Sequence, residues 1–147
     1  MEIEYENEPV GRFHAIIKYI GDAWPEVYWT SSPYQCDILT WENEADPTVA
    51  QPTDAQIDSI FSELKQEQTL YFLRKKRAEL FAEADAINMR TITTDGTISD
   101  EMKAYLAELR TVPQRYLDGT FTASVDESDP SNPRLSDDVV WPTKPEV

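Results

Sequence analysis

Residues 53–87 read TDAQIDSIFSELKQEQTLYFLRKKRAELFAEADAI, and neither glycine nor proline interrupts them. Thr53 and Gln56 have the spacing of a capping box, in which each side chain bonds the backbone N–H of the other residue at a helix N-terminus. Apolar side chains then recur at helical spacing: they are Ile57, Ile60, Phe61, Leu64 and Tyr71, followed by Leu73, Leu80, Phe81 and Ala84. The stretch predicts one long helix or two helices in near-continuous succession.

A second helix is predicted after a loop at residues 88–97. The tetrapeptide at 94–97, Thr-Asp-Gly-Thr, has the composition of a turn. Ser99 can cap the next helix, and the two acidic residues that follow it suit the positive end of the helix dipole. The apolar face of this helix comprises Ile98, Met102, Tyr105, Leu106 and Leu109. We expect Pro113 to end it, so that residues 53–121 form an antiparallel helical hairpin.

The N-terminal part, residues 1–46, predicts a small β-rich domain. Residues 13–20, 24–29 and 34–41 are short runs rich in β-branched and aromatic side chains, as strands are. Three such strands can form an antiparallel sheet, which needs a helix or a partner on its apolar face to be stable. Two prolines in residues 47–52 indicate a linker to the hairpin.

The C-terminal part, residues 122–147, contains four prolines, six acidic and two basic residues, and shows no helical period. We expect this tail to be extended, or disordered when free. It ends in an apolar element, Val140-Trp141-Pro142, which either folds back onto the hairpin or docks on another chain. A proline-stiffened segment loses little entropy on docking, and this favours the second alternative.

The whole sequence predicts an α+β fold: a three-stranded N-terminal sheet, a helical hairpin and an acidic tail.

The composition excludes several classes of protein. The 147 residues include 28 acidic and 13 basic side chains, which give a formal net charge of −15. This surplus argues against nucleic-acid binding, which depends on clustered cations. A single cysteine and a single histidine cannot form an internal disulfide or a His/Cys zinc site. No apolar run reaches the ~18 residues that suggest a membrane-spanning helix, and the acidic N-terminus is unlike a signal peptide.

The only dense basic run, residues 74–77, can be read in two ways. Its sequence is Arg-Lys-Lys-Arg. A charge run on a helix is usually a solvated face or is paired with carboxylates of the same chain. The alternative is a short contact with an acidic segment of a partner.

No residue pattern points to catalysis, a metal or a cofactor. His14 lies among apolar residues of a predicted strand, and Cys36 lies in an aromatic one, so both are expected to be ordinary structural residues. The chain has only four glycines and no glycine-rich phosphate loop, and its acidic clusters lack the EF-hand pattern. We therefore predict no catalytic residue, no metal ligand, no cofactor and no small-molecule substrate.

Large aromatic side chains are the best candidates for binding another protein, because such residues dominate interface energetics. For Trp24, Trp29 and Trp41 a core role and a binding role are equally compatible with the sequence. Trp141 lies beyond any core that the sequence predicts. An interaction protein is the class that remains.

The second half of the chain resembles the tail fibre assembly and tail assembly chaperone proteins of tailed bacteriophages. The resemblance covers residues 70–147, and its positions are Arg77, Leu80 and Asp85, then Ser99, Asp100, Glu101, Tyr105, Leu109, Arg110 and Pro113, and finally the closing Trp141-Pro142-Thr143-Lys144-Pro145. Trp41 and Pro52-Thr53 match more weakly. The chain departs from the family in having Ala86 after Asp85, Thr97-Ile98 in the loop, and an acidic insertion between Tyr116 and Val139.

The resemblance implies a non-enzymatic helper that binds the distal part of a trimeric tail fibre and assists its folding or assembly in the host cytoplasm. In some cases such a helper stays with the virion tail. The residues that we predict to contact the partner are Trp24, Trp29, Trp41, Tyr105, Leu109, Val140, Trp141 and Pro142. Two other classes remain open: a permanent virion component between baseplate and fibre, and an acidic protein that imitates nucleic acid and inhibits a host protein.

Overall fold

The computed structural model describes residues 3–20, 26–29, 38–42 and 50–146, and this part of the chain is mostly helical. Its helices are α1 (Arg12–Ile20), α2 (Asp54–Thr93) and α3 (Asp100–Leu117). Two antiparallel pairs of strands complete it, β1 (Glu26–Trp29) with β2 (Ile38–Glu42) and β3 (Val125–Asp126) with β4 (Arg134–Leu135). The α+β fold with a three-stranded N-terminal sheet is therefore wrong.

The first predicted strand, residues 13–20, is a helix. Gly11 precedes it, and the Gly11 N–H donates to Nδ1 of His14 at 2.9 Å while the His14 N–H donates to the Gly11 carbonyl at 3.0 Å. The imidazole thus takes the place that Glu or Gln has in a capping box. Ile16 is fully buried and packs in one cluster with Ile57 of α2. Capping and packing outweigh the strand preference of the β-branched residues.

The other two predicted strands are present in part. β1 and β2 pair antiparallel, with the Cα of Val27 opposite that of Trp41 and an irregularity in register between Tyr28 and Trp29. The predictions for residues 24–25, 34–37 and 47–49 lie outside the described residues.

Helix α2 begins as the sequence predicts and ends later. The Thr53 N–H donates to Oε1 of Gln56 at 2.9 Å, and the Gln56 N–H donates to Oγ1 of Thr53 at 3.2 Å, so the capping box is confirmed. The predicted loop at residues 88–97 is wrong in its first part, because α2 continues to Thr93.

The end of α2 is a Schellman motif. The Asp95 N–H donates to the Ile92 carbonyl at 3.1 Å, and the Gly96 N–H donates to the Thr91 carbonyl at 2.9 Å. Asp95 itself has a φ of 61°, the left-handed conformation that this motif requires. The turn therefore lies where its composition predicts, and the helix before it ends six residues later than predicted.

Helix α3 starts at its predicted cap and runs past its predicted stop. Oγ of Ser99 accepts the Met102 N–H at 3.1 Å, which confirms the cap. Pro113 lies inside the helix and is buried, so the prediction that it ends α3 is wrong. Pro113 leaves the Leu109 carbonyl without its helical donor, but burial of this face holds the last turn. The helix ends instead before Gly119, whose φ is 81°.

The chain divides into two compact units. The first comprises Met1–Gln68 with Glu127–Pro133, and the second comprises Thr69–Asp126 with Arg134–Val147. The core of the first unit contains Val10, Ala15, Ile16, Ile57 and Leu64. The second unit has two clusters, one built on Ala84, Met102, Tyr105 and Leu109 and the other on Leu73, Val112 and Phe121.

Within residues 122–146 the C-terminal tail has one short hairpin and otherwise no helix or strand, and it packs against its own chain. β3 and β4 form a short hairpin, and the Ser136 N–H donates to the Ser124 carbonyl at 2.9 Å. Tail residues pack against the clusters of the second unit; they are Ala123, Leu135, Val139 and Trp141. These apolar residues are interspersed with acidic ones along the tail, and they anchor it to the core of the second unit.

Candidate partner-binding surface

Tyr105 and Leu109, two of the predicted contact residues, lie inside the protein. Their exposed fractions are 4% and 0%, and they pack with Ala84 between α2 and α3. Burial, together with the charge of Glu83, raises the pKa of Tyr105. In this structure the two residues hold the helical hairpin together, and a direct contact with a partner stays a prediction.

Trp141 is folded back onto its own chain. Its ring meets that of Phe121 edge to face, with centroids 5.7 Å apart and an angle of 62° between the planes. It packs on both apolar clusters of the second unit. Three residues further on, Nζ of Lys144 lies 3.7 Å from a carboxylate oxygen of Glu83. Of the two alternatives for the Trp-Pro element, the structure has the intramolecular one.

Val140 differs from its neighbours in the same element. Its side chain is 80% exposed, while Trp141 and Pro142 are partly buried. Because Trp141 is fixed by its contact with Phe121, Val140 is presented on a segment whose backbone position is set by packing. The Trp-Pro element therefore exposes the Val140 side chain to solvent on a backbone that packing keeps in place.

The remaining predicted anchors belong to the N-terminal part. Trp29 and Trp41 lie in β1 and β2, where Trp29 is the Cα partner of Ile38. Trp24 lies outside the described residues.

An exposed apolar pair at the end of α2 is not among the predicted contact residues. Met89 and Ile92 are 62% and 52% exposed. They are three residues apart, which places them side by side on a helix. The helix that the sequence predicts ends before them, and in a loop they have no common face. The helical spacing of the two residues is the signal that could have found them.

A groove lies on the same last turns of α2. It has a volume of about 290 Å³ and is lined by Ile87, Arg90, Thr91 and Thr94. Its walls mix apolar, hydroxyl and cationic groups. Together with Met89 and Ile92, this groove forms what we call the hairpin tip, defined as the surface of residues 87–94. The hairpin tip combines apolar area with polar groups that can orient a partner, as protein interfaces do.

The described residues contain no cluster of three or more His, Cys, Asp and Glu that could hold a metal ion. His14 is 4% exposed, and its Nδ1 is occupied as an acceptor at the start of α1. Its Nε2 lies 3.2 Å from Oε1 of Glu8, outside the geometry of a directed hydrogen bond.

None of the helices in the described ranges is long and apolar enough to cross a membrane. Cys36 lies outside these ranges.

The comparison with protein families gives one result that coincides with this architecture. The model of the family described as "Phage tail assembly chaperone protein" matches residues 71–146. The match covers more than half of the chain and includes the second unit's helical hairpin, the hairpin tip and the Trp-Pro element. Comparison with curated proteins and with solved structures gave no match. The chain therefore belongs to the phage tail assembly chaperone protein family.

Proposed function

We propose that this protein, whose family gives it a role in phage tail assembly, binds the distal part of a trimeric tail fibre and assists its folding or assembly. The family implies a phage tail protein as partner and suggests a non-enzymatic role. The observation that carries the proposal is the position of the exposed apolar residues. Met89, Ile92, Leu117 and Val140 all lie in the segment that the family model matches.

A fibre that is still assembling exposes apolar and strand-rich surface, which makes it prone to aggregation. An assembly helper has to cover such surface and release it without aggregating itself. The hairpin tip and Val140 supply apolar contact, and the net charge of −15 keeps the helper and its complexes apart from one another. The chemistry of the chain therefore suits transient covering of a client.

The β1–β2 pair suggests a second mode of contact. A two-stranded antiparallel sheet can accept a further strand at an edge through backbone hydrogen bonds. We include the β1–β2 pair in the proposed interface, where a strand of the tail fibre would pair with one of its edges. Such an interaction takes place before the virion is complete, so the proposal includes action in the host cytoplasm during infection.

Co-expression with the tail fibre protein of the same phage tests the proposal. We expect the fibre to be soluble and trimeric with this protein and largely aggregated without it, as measured by solubility and by light scattering of the purified fibre. Equal yields of soluble trimer in both cases would contradict the chaperone function. Proteomics of purified particles then separates a helper that leaves from a permanent virion component.

A further inference from the structure

Most cations of this acidic protein are paired with a carboxylate of the same chain. The pairs are Arg12 with Asp54 and Asp58, Lys18 with Glu67, Lys65 with Glu127, Lys76 with Glu79, Lys103 with Asp100, Arg134 with Asp126, and Lys144 with Glu83. With 28 acidic and 13 basic residues, carboxylates outnumber cations by about two to one. A group of cations without one is therefore an exception to be explained.

Three arginines of the second unit form such a group, which we call the arginine patch: Arg74, Arg77 and Arg110. Arg74 and Arg77 are three residues apart on α2 and so lie side by side. Nη1 of Arg77 donates to the backbone carbonyl of Arg110 on α3 at 3.2 Å, so Arg110 lies across from Arg77 on the neighbouring helix. In the part of the chain that the structure describes, none of the three forms an ion pair with a carboxylate. Arg74 and Arg110 are exposed.

Like charges placed together on a surface repel each other, so the patch is electrostatically unfavourable in the isolated chain. Guanidinium groups bind carboxylates through paired hydrogen bonds and with a fixed geometry, and arginine is the cation that interfaces favour. We propose that the arginine patch binds an acidic segment of the partner polypeptide, an inference that rests on the proposed function. A segment with two or three consecutive Asp or Glu residues would supply the carboxylates that the arginine patch binds.

The charge of the chain favours an acidic polypeptide over a nucleic acid. A nucleic acid brings one phosphate charge for every ~1.7 Å of duplex, far more than three arginines neutralise. Approach of such a polyanion to a protein with a net charge of −15 is opposed at long range. A short acidic segment brings few charges and meets the patch at close range, where local attraction outweighs the field of the whole chain.

The test uses the full chain and a pair of charge-matched variants. The patch variant is Arg74→Gln with Arg110→Gln, which keeps Arg77 and its bond to the α3 backbone. The control is Lys103→Gln with Arg134→Gln, which removes two positive charges from other exposed positions. Affinity for the purified tail fibre protein is measured by calorimetry at low and high salt. Thermal unfolding verifies that both variants fold.

We expect the patch variant to bind the fibre tenfold or more weakly at low salt, with the difference shrinking at high salt, and the control to stay within about twofold of the wild type. The proposal that the arginine patch binds the partner would be overturned if both variants lose the same affinity for the fibre, or if the patch variant loses none. If the wild type does not bind the fibre at all, the proposed function fails, and a second measurement then decides the patch by itself.

That measurement is the fluorescence anisotropy of a labelled hexaglutamate peptide at low salt. Binding by the wild type and the control but not by the patch variant supports the patch. No binding by the wild type, or tighter binding of a six-nucleotide thymidine oligomer, overturns it. Self-association of the wild type that the patch variant abolishes also overturns it, because the occupant is then the acidic tail of a second copy.

Discussion

The side-chain amide of Gln68 donates a hydrogen bond of 2.9 Å to the backbone carbonyl of Glu8, 60 residues earlier in the chain. The same amide nitrogen donates to the Tyr5 carbonyl at 3.1 Å, and Oε1 of Gln68 accepts the Val10 N–H at 3.4 Å. Gln68 is 1% exposed. One side chain of α2 therefore satisfies three backbone groups of the N-terminal segment, which has no regular structure to satisfy them itself.

Replacing Gln68 by Leu should destabilise the protein by about 2–4 kcal/mol, because buried backbone groups lose their partners at about 1–3 kcal/mol each. Urea unfolding followed by circular dichroism measures the change. The control is Gln66→Leu on the same helix, where the side chain is exposed and the expected change is within about 0.5 kcal/mol. A similar loss in both variants would show that Gln68 does not hold the segment.

The features that depend on neighbouring residues could be predicted from the sequence. The capping box of Thr53 and Gln56, the Ser99 cap and the apolar faces of α2 and α3 are all set by spacing within one helix. The strand predicted for residues 13–20 is wrong because the β-branched residues there favour a strand locally. The helix depends on packing with Ile57, far along the chain, which no local pattern contains.

The candidate surface shows the same division. The Trp-Pro element can be identified from the sequence, but whether Trp141 packs on its own chain depends on Phe121 and on long-range geometry. Met89 and Ile92 are missed because the predicted end of α2 is six residues too early. The residue at the turn of the Schellman motif is Asp95 rather than the usual Gly, so the local signal for the helix end is displaced.

The Schellman motif gives a prediction of opposite signs at adjacent positions. Asp95→Gly should stabilise the protein by about 0.5–1 kcal/mol, because glycine adopts the left-handed conformation without strain. Gly96→Ala should destabilise it by about 1–2 kcal/mol, since a Cβ there would lie 2.9 Å from Cγ2 and 3.0 Å from the carbonyl oxygen of Thr91. Thermal unfolding measures both changes, and the same sign for both would contradict the motif.

Gly119 at the end of α3 serves as the comparison for that pair. Its φ is 81°, but a Cβ there would meet no atom within 4 Å. Gly119→Ala should therefore cost about 1 kcal/mol from the backbone alone.

Alkaline pH should destabilise the first unit through Tyr5. Burial, the 2.8 Å hydrogen bond to Glu67 and the charge of that carboxylate raise the pKa of Tyr5 to about 12. An unfolded tyrosine ionises near pH ~10, so the folded state holds the proton more tightly. The resulting stabilisation is fully present below about pH 10 and is lost as the pH rises towards about 12. Melting temperatures of the wild type and Tyr5→Phe, measured from pH 8 upward, should converge over that range.

Glu67→Gln separates the causes of this shift. It removes the charge but keeps an acceptor for the Tyr5 hydroxyl, so the alkaline loss should still begin near pH ~10 but end at a lower pH than in the wild type, over a narrower range. Parallel pH profiles of the wild type and Tyr5→Phe would show that Tyr5 does not contribute.

Trp141 and Val140, two neighbours in the Trp-Pro element, should contribute very differently to stability. Trp141→Ala removes a ring that packs on two clusters and on Phe121, and we expect a loss of about 2–3 kcal/mol in unfolding free energy. Val140→Ala, at a side chain that is 80% exposed, should change stability by no more than about 0.5 kcal/mol. If Trp141→Ala leaves the urea midpoint unchanged, the intramolecular position of the tail is not the one that the free protein adopts.

The hairpin tip should contribute to partner binding without contributing to stability. In Met89→Ser with Ile92→Ser, two exposed apolar side chains are lost, so the melting temperature should stay within about 2 °C of the wild type while affinity for the fibre falls about tenfold. Ala104→Ser with Ala107→Ser is the matched control, because both residues are exposed and three positions apart on α3. Calorimetry with the purified fibre measures the difference. Equal affinity of the two double variants would place the client contact elsewhere, and a tip variant that melts early would show that Met89 and Ile92 serve the fold rather than the interface.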